Sequence, residues 1–187
     1  MSDETGPDEA GPDETGAYEP GRVPYAAELA DRAAIAEIIA LHCRGVDRAD
    51  EETLKSCYWP DATTAYGEDD VPAHIFCAQL VPAIKAFRQT HHMVTNSICT
   101  FDRTQARVES YLVAFHYLAS EDGEDSEMTY LGRYLDRFEK RGDVWKIKHR
   151  EPVMSWSQNA ATTHDSNHPA LSALRRATRY PDDIVYK

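Results

Sequence analysis

The second half of the chain is a succession of β-rich runs joined by short connections, and no other feature constrains the fold as strongly. The runs cover residues 91–101, 106–119, 128–139 and 144–157, with turn-forming residues between them. Consecutive strands with such short connections pair as antiparallel neighbours, because a parallel crossover needs a dozen or more residues. The pattern therefore predicts an antiparallel meander.

The first half of the chain shows helical periodicity instead. Apolar residues recur at helical spacing over 26–48, which is the clearest predicted helix. Asp50 is a predicted N-cap for a short helix over 51–58. A third helical segment is predicted near 74–89, where Pro82 must start a new turn or kink the helix.

Helices that precede a run of strands predict an α+β fold in which the helices cover one face of the sheet. A short strand over 62–66 and a short helix near 169–178 complete the predicted elements. We divide the chain into an acidic tail over 1–22, one domain over 23–160, and a C-terminal extension over 161–187. The extension is expected to pack on the domain or on a neighbouring subunit.

The chain carries a formal net charge of −12, and much of it lies in the N-terminal tail. The tail is an acidic repeat rich in Gly and Pro with too little apolar surface to fold by itself, so we expect it to be flexible. The acidic balance repels phosphate backbones, which argues against nucleic-acid binding. No apolar run approaches the ~18 residues of a membrane span. We therefore expect a soluble, cytoplasmic protein with no membrane partner.

The residue types that bind metals and cofactors are not arranged in a recognisable site. The four cysteines lack a CxxC spacing, which predicts reduced thiols. His164 and His168 have the i,i+4 spacing of a helical metal site, but Pro169 and its polar neighbours predict a loop. A glycine-rich phosphate loop is also absent from the sequence. We expect neither a metal nor a cofactor.

Asp47 is anomalous because it prolongs the apolar stripe of the first predicted helix beyond Ile39 and Cys43. A carboxylate at the C-terminal end of a helix gains nothing from the helix dipole, and its burial is costly unless a donor meets it. Asp47 is either a solvated or loop-holding acid, or a functional carboxylate.

His91 and His92 open the first long strand, where alternation points only one of them to a given face. The alternation does not decide which one, and a strand histidine is often structural. Together with Asp47, however, either histidine suggests a catalytic pair. An Asp that accepts from one imidazole nitrogen fixes the tautomer and leaves the other nitrogen free as a general base.

Four short motifs resemble the SnoaL-like branch of the nuclear-transport-factor-2-like (NTF2-like) superfamily. They are GVDR at 45–48, YWPDA at 58–62, HMVTN at 92–96 and VWK at 144–146. The resemblance extends over residues 26–157. It implies a cone, in which a strongly curved antiparallel sheet wraps around helices and encloses one deep pocket.

The resemblance also implies an activity. Members of this superfamily include cofactor-free lyases such as lindane dehydrochlorinase, scytalone dehydratase, bile-acid 7α-dehydratase and the diarylpropane lyases that release formaldehyde. On the dehydrochlorinase-like pattern, Asp47 falls on the orienting acid, His92 on the proton-abstracting base and Arg150 on the leaving-group arginine. Such relatives commonly form dimers or trimers, so a homodimer or homotrimer is expected.

The sequence departs from that pattern at two places. The position five before the acid, often Tyr or Lys in those relatives, is His42, which is either a core histidine or a donor or acid for the substrate. Simple alternation groups Arg150 with Lys146 and Lys148 on the outside. Arg150 faces the pocket only if a β-bulge resets the phase; otherwise His149 does. We favour Arg150.

Aromatic residues are frequent, and most of them must belong to the core. We expect a few to line the cavity, which suits an aromatic or polycyclic substrate. The substrate-binding candidates are His42, Tyr58, Trp59, Tyr111, Tyr134 and Trp156.

The sequence therefore predicts a cofactor-independent lyase acting on a hydrophobic small molecule. His92, oriented by Asp47, removes a proton, and Arg150, Tyr134 or His42 stabilises departing water, halide or formaldehyde. Two alternatives stay open. One is a ketosteroid-type isomerase, and the other is a non-catalytic ligand-binding protein or a protein like the small subunit of ring-hydroxylating oxygenases.

Overall fold

The computed structural model describes residues 20–119, 125–165 and 168–187. The predicted acidic tail over 1–22 therefore lies almost wholly outside the described residues, as does the predicted turn at 121–123. Among the described residues, no helix is long and apolar enough to cross a membrane.

The helices agree closely with the sequence pattern. The first helix, α1, spans Ala26–Arg48 as predicted. Asp50 caps the second helix, α2 (Glu51–Ser56), by accepting the backbone N–H of Thr53 at 3.1 Å. This helix ends two residues before the predicted position, because Tyr58 already starts a strand.

The third helix, α3 (Ala73–Lys85), continues through Pro82. It is shorter than predicted at its C-terminal end, where the chain turns into the next strand.

The structure describes a six-stranded mixed sheet in the order β2-β1-β6-β5-β4-β3. The strands are β1 (Tyr58–Thr64), β2 (Val71–Pro72), β3 (Gln89–Asp102), β4 (Gln105–Leu118), β5 (Ser126–Arg141) and β6 (Val144–Ala161). The predicted meander is confirmed for β3 to β6, whose pairings are all antiparallel. The early strand β1 pairs in parallel with β6.

The helices cover the inner face of the sheet. Along β4, the even-numbered residues from Ala106 to Ala114 are buried against this face. Ile35, Ile39 and Val46 of α1 supply the facing apolar stripe. Burying each such side chain contributes about 1.5–3 kcal/mol to the free energy of unfolding. The packing of the helices on one face of the sheet confirms the α+β class.

The C-terminal extension contains short 3₁₀ turns at Pro169–Leu171 and Ile184–Tyr186 instead of a helix. The prediction of a helix near 169–178 is wrong. Leu171 and Leu174 lie exposed, and a short helix in water is not stable without an apolar face packed on the protein.

Candidate active site

Asp47 and His92 meet across the boundary between α1 and β3. The Nδ1 atom of His92 lies 2.7 Å from Oδ1 of Asp47, and the backbone N–H of His92 donates to Oδ2 at 2.9 Å. Both side chains are less than a tenth exposed. His91, the other candidate, points outward and is exposed. The carboxylate at the helix end is therefore buried and met by two donors from one residue.

This contact fixes the tautomer of the neutral imidazole. A carboxylate only accepts hydrogen bonds, so Nδ1 of His92 must carry the proton, and Nε2 keeps a free lone pair. Within the described part of the chain, Nε2 of His92 makes no hydrogen bond. The arrangement therefore leaves Nε2 of His92 chemically able to accept a proton.

A β-bulge in β6 turns Arg150 inward. Ile147 pairs with Phe138 and His149 with Arg137, so Lys148 is an extra residue that resets the alternation. Arg150 then lies on the inner face, and His149 contacts Thr63 at its Nδ1.

Arg150 is completely buried against Asp136. Its Nε and Nη2 atoms each donate to one carboxylate oxygen of Asp136 at 2.7 Å, and both side chains are 0% exposed. Burial opposes the charge of Arg150, but the Asp136 carboxylate and the nearby Tyr58 outweigh it and hold its pKa well above the usual range. Its third donor, Nη1, is buried with no hydrogen-bond partner among the described residues.

Aromatic side chains surround this guanidinium. The Cζ atom of Arg150 lies 3.9 Å from the ring centroid of Tyr134, a close cation–π contact. Burial raises the pKa of Tyr66 to about 12, against the opposing charge of Arg150. The ring of Tyr66 stacks on Phe76, and 42% of the residue as a whole is exposed, which places Tyr66 at the outer end of the cluster.

His42 lies at the centre of the buried aromatic cluster. Its Nε2 atom is 3.0 Å from the hydroxyl of Tyr58, and its ring makes an edge contact with Tyr134. Burial, and then the positive charge of Arg150 and the charge that His92 carries when it is protonated, lower the pKa of His42 well below its usual value. His42 is therefore neutral, and its buried Nδ1 has no partner among the described residues.

His116 packs against the catalytic candidate. The rings of His116 and His92 form an edge contact with centroids 5.3 Å apart, and His116 also packs on Phe87. Burial, and then the charge of His92, lower the pKa of His116. A neutral His116 leaves His92 without a permanent positive neighbour on this side.

Three predicted substrate-binding residues lie elsewhere. Tyr111 and Trp156 are about half exposed on the outer face of the sheet, so their placement in the pocket is wrong. The indole of Trp59 donates to the carbonyl of Glu139 at 2.9 Å and lies under Arg141, close to the β5–β6 turn. The side chains that gather on the inner face are His42, Tyr58 and Tyr134.

Asp136, His116 and Tyr66 belong to the site but did not stand out in the sequence. Asp136 carried a usable signal, because it shares its alternation with the inward Tyr134 and Phe138 and is the one acid among them. His116 follows the buried alternation of β4 in the same way. Tyr66 ends the predicted strand over 62–66, but β1 ends at Thr64 and Tyr66 lies in the loop that follows, so strand alternation does not give its direction.

An open depression of about 630 Å³ lies on a different part of the molecule. It is lined mostly by outward side chains of the sheet, including Ile98, Arg107 and Arg137. Neither Asp47 nor His92 contributes to it. The candidate catalytic residues therefore lie in the inner-face cluster and not in this depression.

Comparisons with known proteins agree with this architecture. The family model described as a SnoaL-like domain matches residues 27–151. A hexachlorocyclohexane dehydrochlorinase (LinA) of type 2 superimposes with a TM-score of 0.66 at 23% identity, covering 76% of this chain and 97% of that one. None of the curated proteins matches the chain by sequence.

Two further solved structures come from Novosphingobium aromaticivorans. A protein provisionally designated a scytalone dehydratase has a TM-score of 0.62 at 22% identity, over 82% of this chain and 95% of that one. The β subunit of a provisionally designated aromatic-ring-hydroxylating dioxygenase has a TM-score of 0.55 at 21% identity, over 71% and 93%. At these identities the likeness shows the fold, which is NTF2-like.

Proposed function

We propose that this chain, which belongs to the SnoaL-like family, is a cofactor-independent lyase acting on a hydrophobic ring compound. The observation that carries the proposal is the buried Asp47–His92 contact, which leaves Nε2 of His92 unprotonated and unpartnered among the described residues. That nitrogen is the general base.

The reaction begins with transfer of a substrate proton, from carbon or from a hydroxyl, to Nε2 of His92. When the proton comes from carbon, the electron pair of the C–H bond forms a new C=C bond, and the leaving group departs from the neighbouring carbon with the electrons of its own bond. When it comes from a hydroxymethyl group, the O–H electrons form the C=O bond of formaldehyde, the C–C bond breaks, and the remaining carbon takes the proton back from His92. Asp47 stabilises the imidazolium that forms. No electron acceptor is consumed, so a base and hydrogen-bond donors suffice for the chemistry.

Arg150 and His42 are the proposed donors to the leaving group. Each holds a buried N–H that no described residue accepts: Nη1 of Arg150, and Nδ1 of His42 when its Nε2 accepts from Tyr58. An unmet buried donor costs about 1–3 kcal/mol, a cost that an oxygen or halide of the substrate would remove. Such preorganised donors are the usual means of stabilising developing negative charge.

The proposed substrate class follows from the walls of the cluster. The rings of Tyr58, Tyr134 and Tyr66 lie around the two donors, which favours a flat or cyclic hydrophobic ligand. The names of the similar structures, a hexachlorocyclohexane dehydrochlorinase and a ring-hydroxylating dioxygenase subunit, support ring compounds without identifying one.

The proposal is tested with a panel of cyclic and aryl compounds that carry chloride, hydroxyl or hydroxymethyl next to an acidic hydrogen. Mass spectrometry then detects the loss of HCl, water or formaldehyde. The variant His92→Gln should lower the rate by about 10²–10⁴-fold, the usual contribution of a general base. His91→Gln is the matched control, because His91 is exposed and should keep wild-type turnover.

Unimpaired turnover in His92→Gln contradicts the assignment of the base. A product of unchanged mass indicates an isomerase of ketosteroid type instead. The match to a dioxygenase β subunit favours a second candidate, a non-catalytic subunit. That candidate predicts no product with any compound of the panel and co-purification with a larger subunit.

A further inference from the structure

We propose that Arg179 of the C-terminal extension is a positioning residue that holds Asp47 and His92 in contact. The inference rests on the proposed function of that pair. It assigns a role to a segment outside the family match, which ends at residue 151.

Arg179 joins the ends of three elements through one guanidinium group. Its Nη1 atom donates to the backbone carbonyl of Asp47 and, at 3.0 Å, to the hydroxyl of Thr90. Its Nη2 atom donates to the carbonyls of Phe87 at 3.2 Å and Ile84 at 3.4 Å. One side chain therefore binds the last turn of α1, the end of α3 and the start of β3.

These are the elements that carry the catalytic pair. Asp47 lies in the last turn of α1, and Thr90 precedes His92 by two residues on β3. The Asp47–His92 hydrogen bond links α1 to β3. The guanidinium of Arg179 links the same two elements a second time. A second link at this distance restricts the relative motion that would lengthen the 2.7 Å contact.

The position also suits an arginine electrostatically. The last carbonyls of α1 and α3 have no partners within their helices and carry the negative end of the helix dipole, so a cation is favoured there. Arg179 lies close enough to Asp47 for its own charge to be stabilised by the carboxylate, although burial, the larger influence, lowers the pKa of Arg179. A lysine has a single charged nitrogen and cannot span the same four acceptors.

The chain around Arg179 is itself fixed to the end of α1. The backbone N–H of Tyr180 donates to the carbonyl of Arg48 at 2.7 Å, and the side chain of Arg48 pairs with Asp183 at 3.1 Å. The hydroxyl of Tyr186 donates to Asp50 at 2.8 Å.

Asp183 also accepts the backbone N–H groups of Thr178 and Val185, both at 3.1 Å. These contacts close the loop that presents Arg179, so its guanidinium is held in place from the side of the tail.

The experiment observes the hydrogen bond itself. In ¹⁵N-labelled full-length protein, the Nδ1–H proton of His92 is assigned by its disappearance in His92→Gln. Its exchange with water is then compared between wild type and Arg179→Met. We expect exchange to accelerate about tenfold or more, as for the loss of a charge-assisted contact, or the signal to vanish. Arg175→Met is the matched control, since Arg175 is exposed on the same segment.

An internal reference separates positioning from general destabilisation. The indole N–H of Trp145 donates to Asp31 at 2.8 Å on another part of the sheet, and it should exchange as in wild type. Equal acceleration of both signals, or an unchanged His92 signal, overturns the proposal. If Arg179→Met does not fold, Arg179→Lys decides in the same way: a lost or faster-exchanging signal supports positioning, and a wild-type signal refutes it.

The readout does not require turnover. If the protein converts no compound of the substrate panel, proton exchange still shows whether Arg179 holds Asp47 and His92 in contact. If exchange is unchanged in Arg179→Met, the panel still tests the proposed lyase activity. Once a substrate is found, Arg179→Met should lower kcat more than it changes KM, because the substrate contacts remain.

Discussion

The buried Arg150–Asp136 pair makes a quantitative prediction about stability. Replacing Asp136 with Asn keeps the shape of the side chain but leaves a completely buried guanidinium without its counter-charge. Removing one partner of such a pair costs about 3–5 kcal/mol, a large share of the roughly 5–15 kcal/mol that stabilises a domain. For a chain of this size each 1 kcal/mol lowers Tm by about 2–4 °C, so a drop of roughly 6–20 °C is expected.

The assays are thermal unfolding, which measures Tm for Asp136→Asn, and equilibrium unfolding in urea on a double-mutant cycle; both are followed by far-UV circular dichroism. Asp136→Leu and Arg150→Met are measured singly and together. Because each single variant leaves one buried charge unpaired and the double variant leaves none, the double variant should be more stable than either single variant. A simple sum of the two single losses would contradict the argument.

The matched control is an exposed pair of the same chemistry. Arg141 donates to both carboxylate oxygens of Asp61, at 2.9 and 3.0 Å, but Asp61 is more than half exposed. Water screens that pair, so Asp61→Asn should hardly change the unfolding midpoint. If Asp61→Asn and Asp136→Asn shift the midpoint equally, burial is not the cause of the effect.

Two further predictions concern pH and assembly. In the folded state, burial and then the charges of Arg150 and of protonated His92 lower the pKa of His42. The unfolded chain therefore binds the proton more readily. The stability that neutral His42 contributes is complete above its unfolded pKa of about 6.5 and falls as the pH decreases below that value. Urea unfolding at pH 7, 6 and 5 should show that His42→Leu removes up to about 1.4 kcal/mol per pH unit of this loss; parallel curves for the two proteins would contradict it. The outer face carries an apolar row across four strands, Met93, Val113, Leu131 and Trp156, each paired with the next. If this row joins copies of the chain, Trp156→Glu should lower the mass measured by light scattering, whereas Leu174→Glu, an exposed position away from the row, should not.

The order of elements could be read from the sequence because each element carries its own period. The boundaries of α1 and the four long strands followed from patterns that depend only on local residues. The direction of individual side chains was harder, because it depends on register and on bulges. Along β4, Leu112 and Ala114 face inward while the equally apolar Val113 and Phe115 face outward, so composition could not place Tyr111.

Bulges explain one correct and one incorrect prediction in β6. The bulge at Lys148 brings Arg150 to the inner face, as the resemblance to the family implied. A second register shift follows, because Met154 pairs with Gly132 and Trp156 with Leu131. Simple alternation from Arg150 keeps Trp156 on the inner face, but the second shift returns it to the outside. The sequence has no glycine at the first bulge, whereas Gly132 of β5 lies at the second register shift.

Arg179 could not have been found by any local pattern. It lies in irregular chain, and its partners are carbonyls at the ends of distant elements, which every residue type possesses. Only the tertiary structure brings a particular side chain to those carbonyls.

The distribution of charge in the cluster determines what His42 does in the proposed reaction. Before proton transfer, Asp47 is the anion beside a neutral His92, and the charge of Arg150 is matched by Asp136. Proton transfer makes His92 a cation next to Asp47, while the leaving group gains negative charge near the free N–H of Arg150. The new charge on His92 adds to burial and to the charge of Arg150, and all three disfavour protonation of His42. His42 therefore acts as a neutral hydrogen-bond donor, and a departing hydroxide takes up the proton that Nε2 of His92 removed from the substrate, which returns His92 to its neutral form.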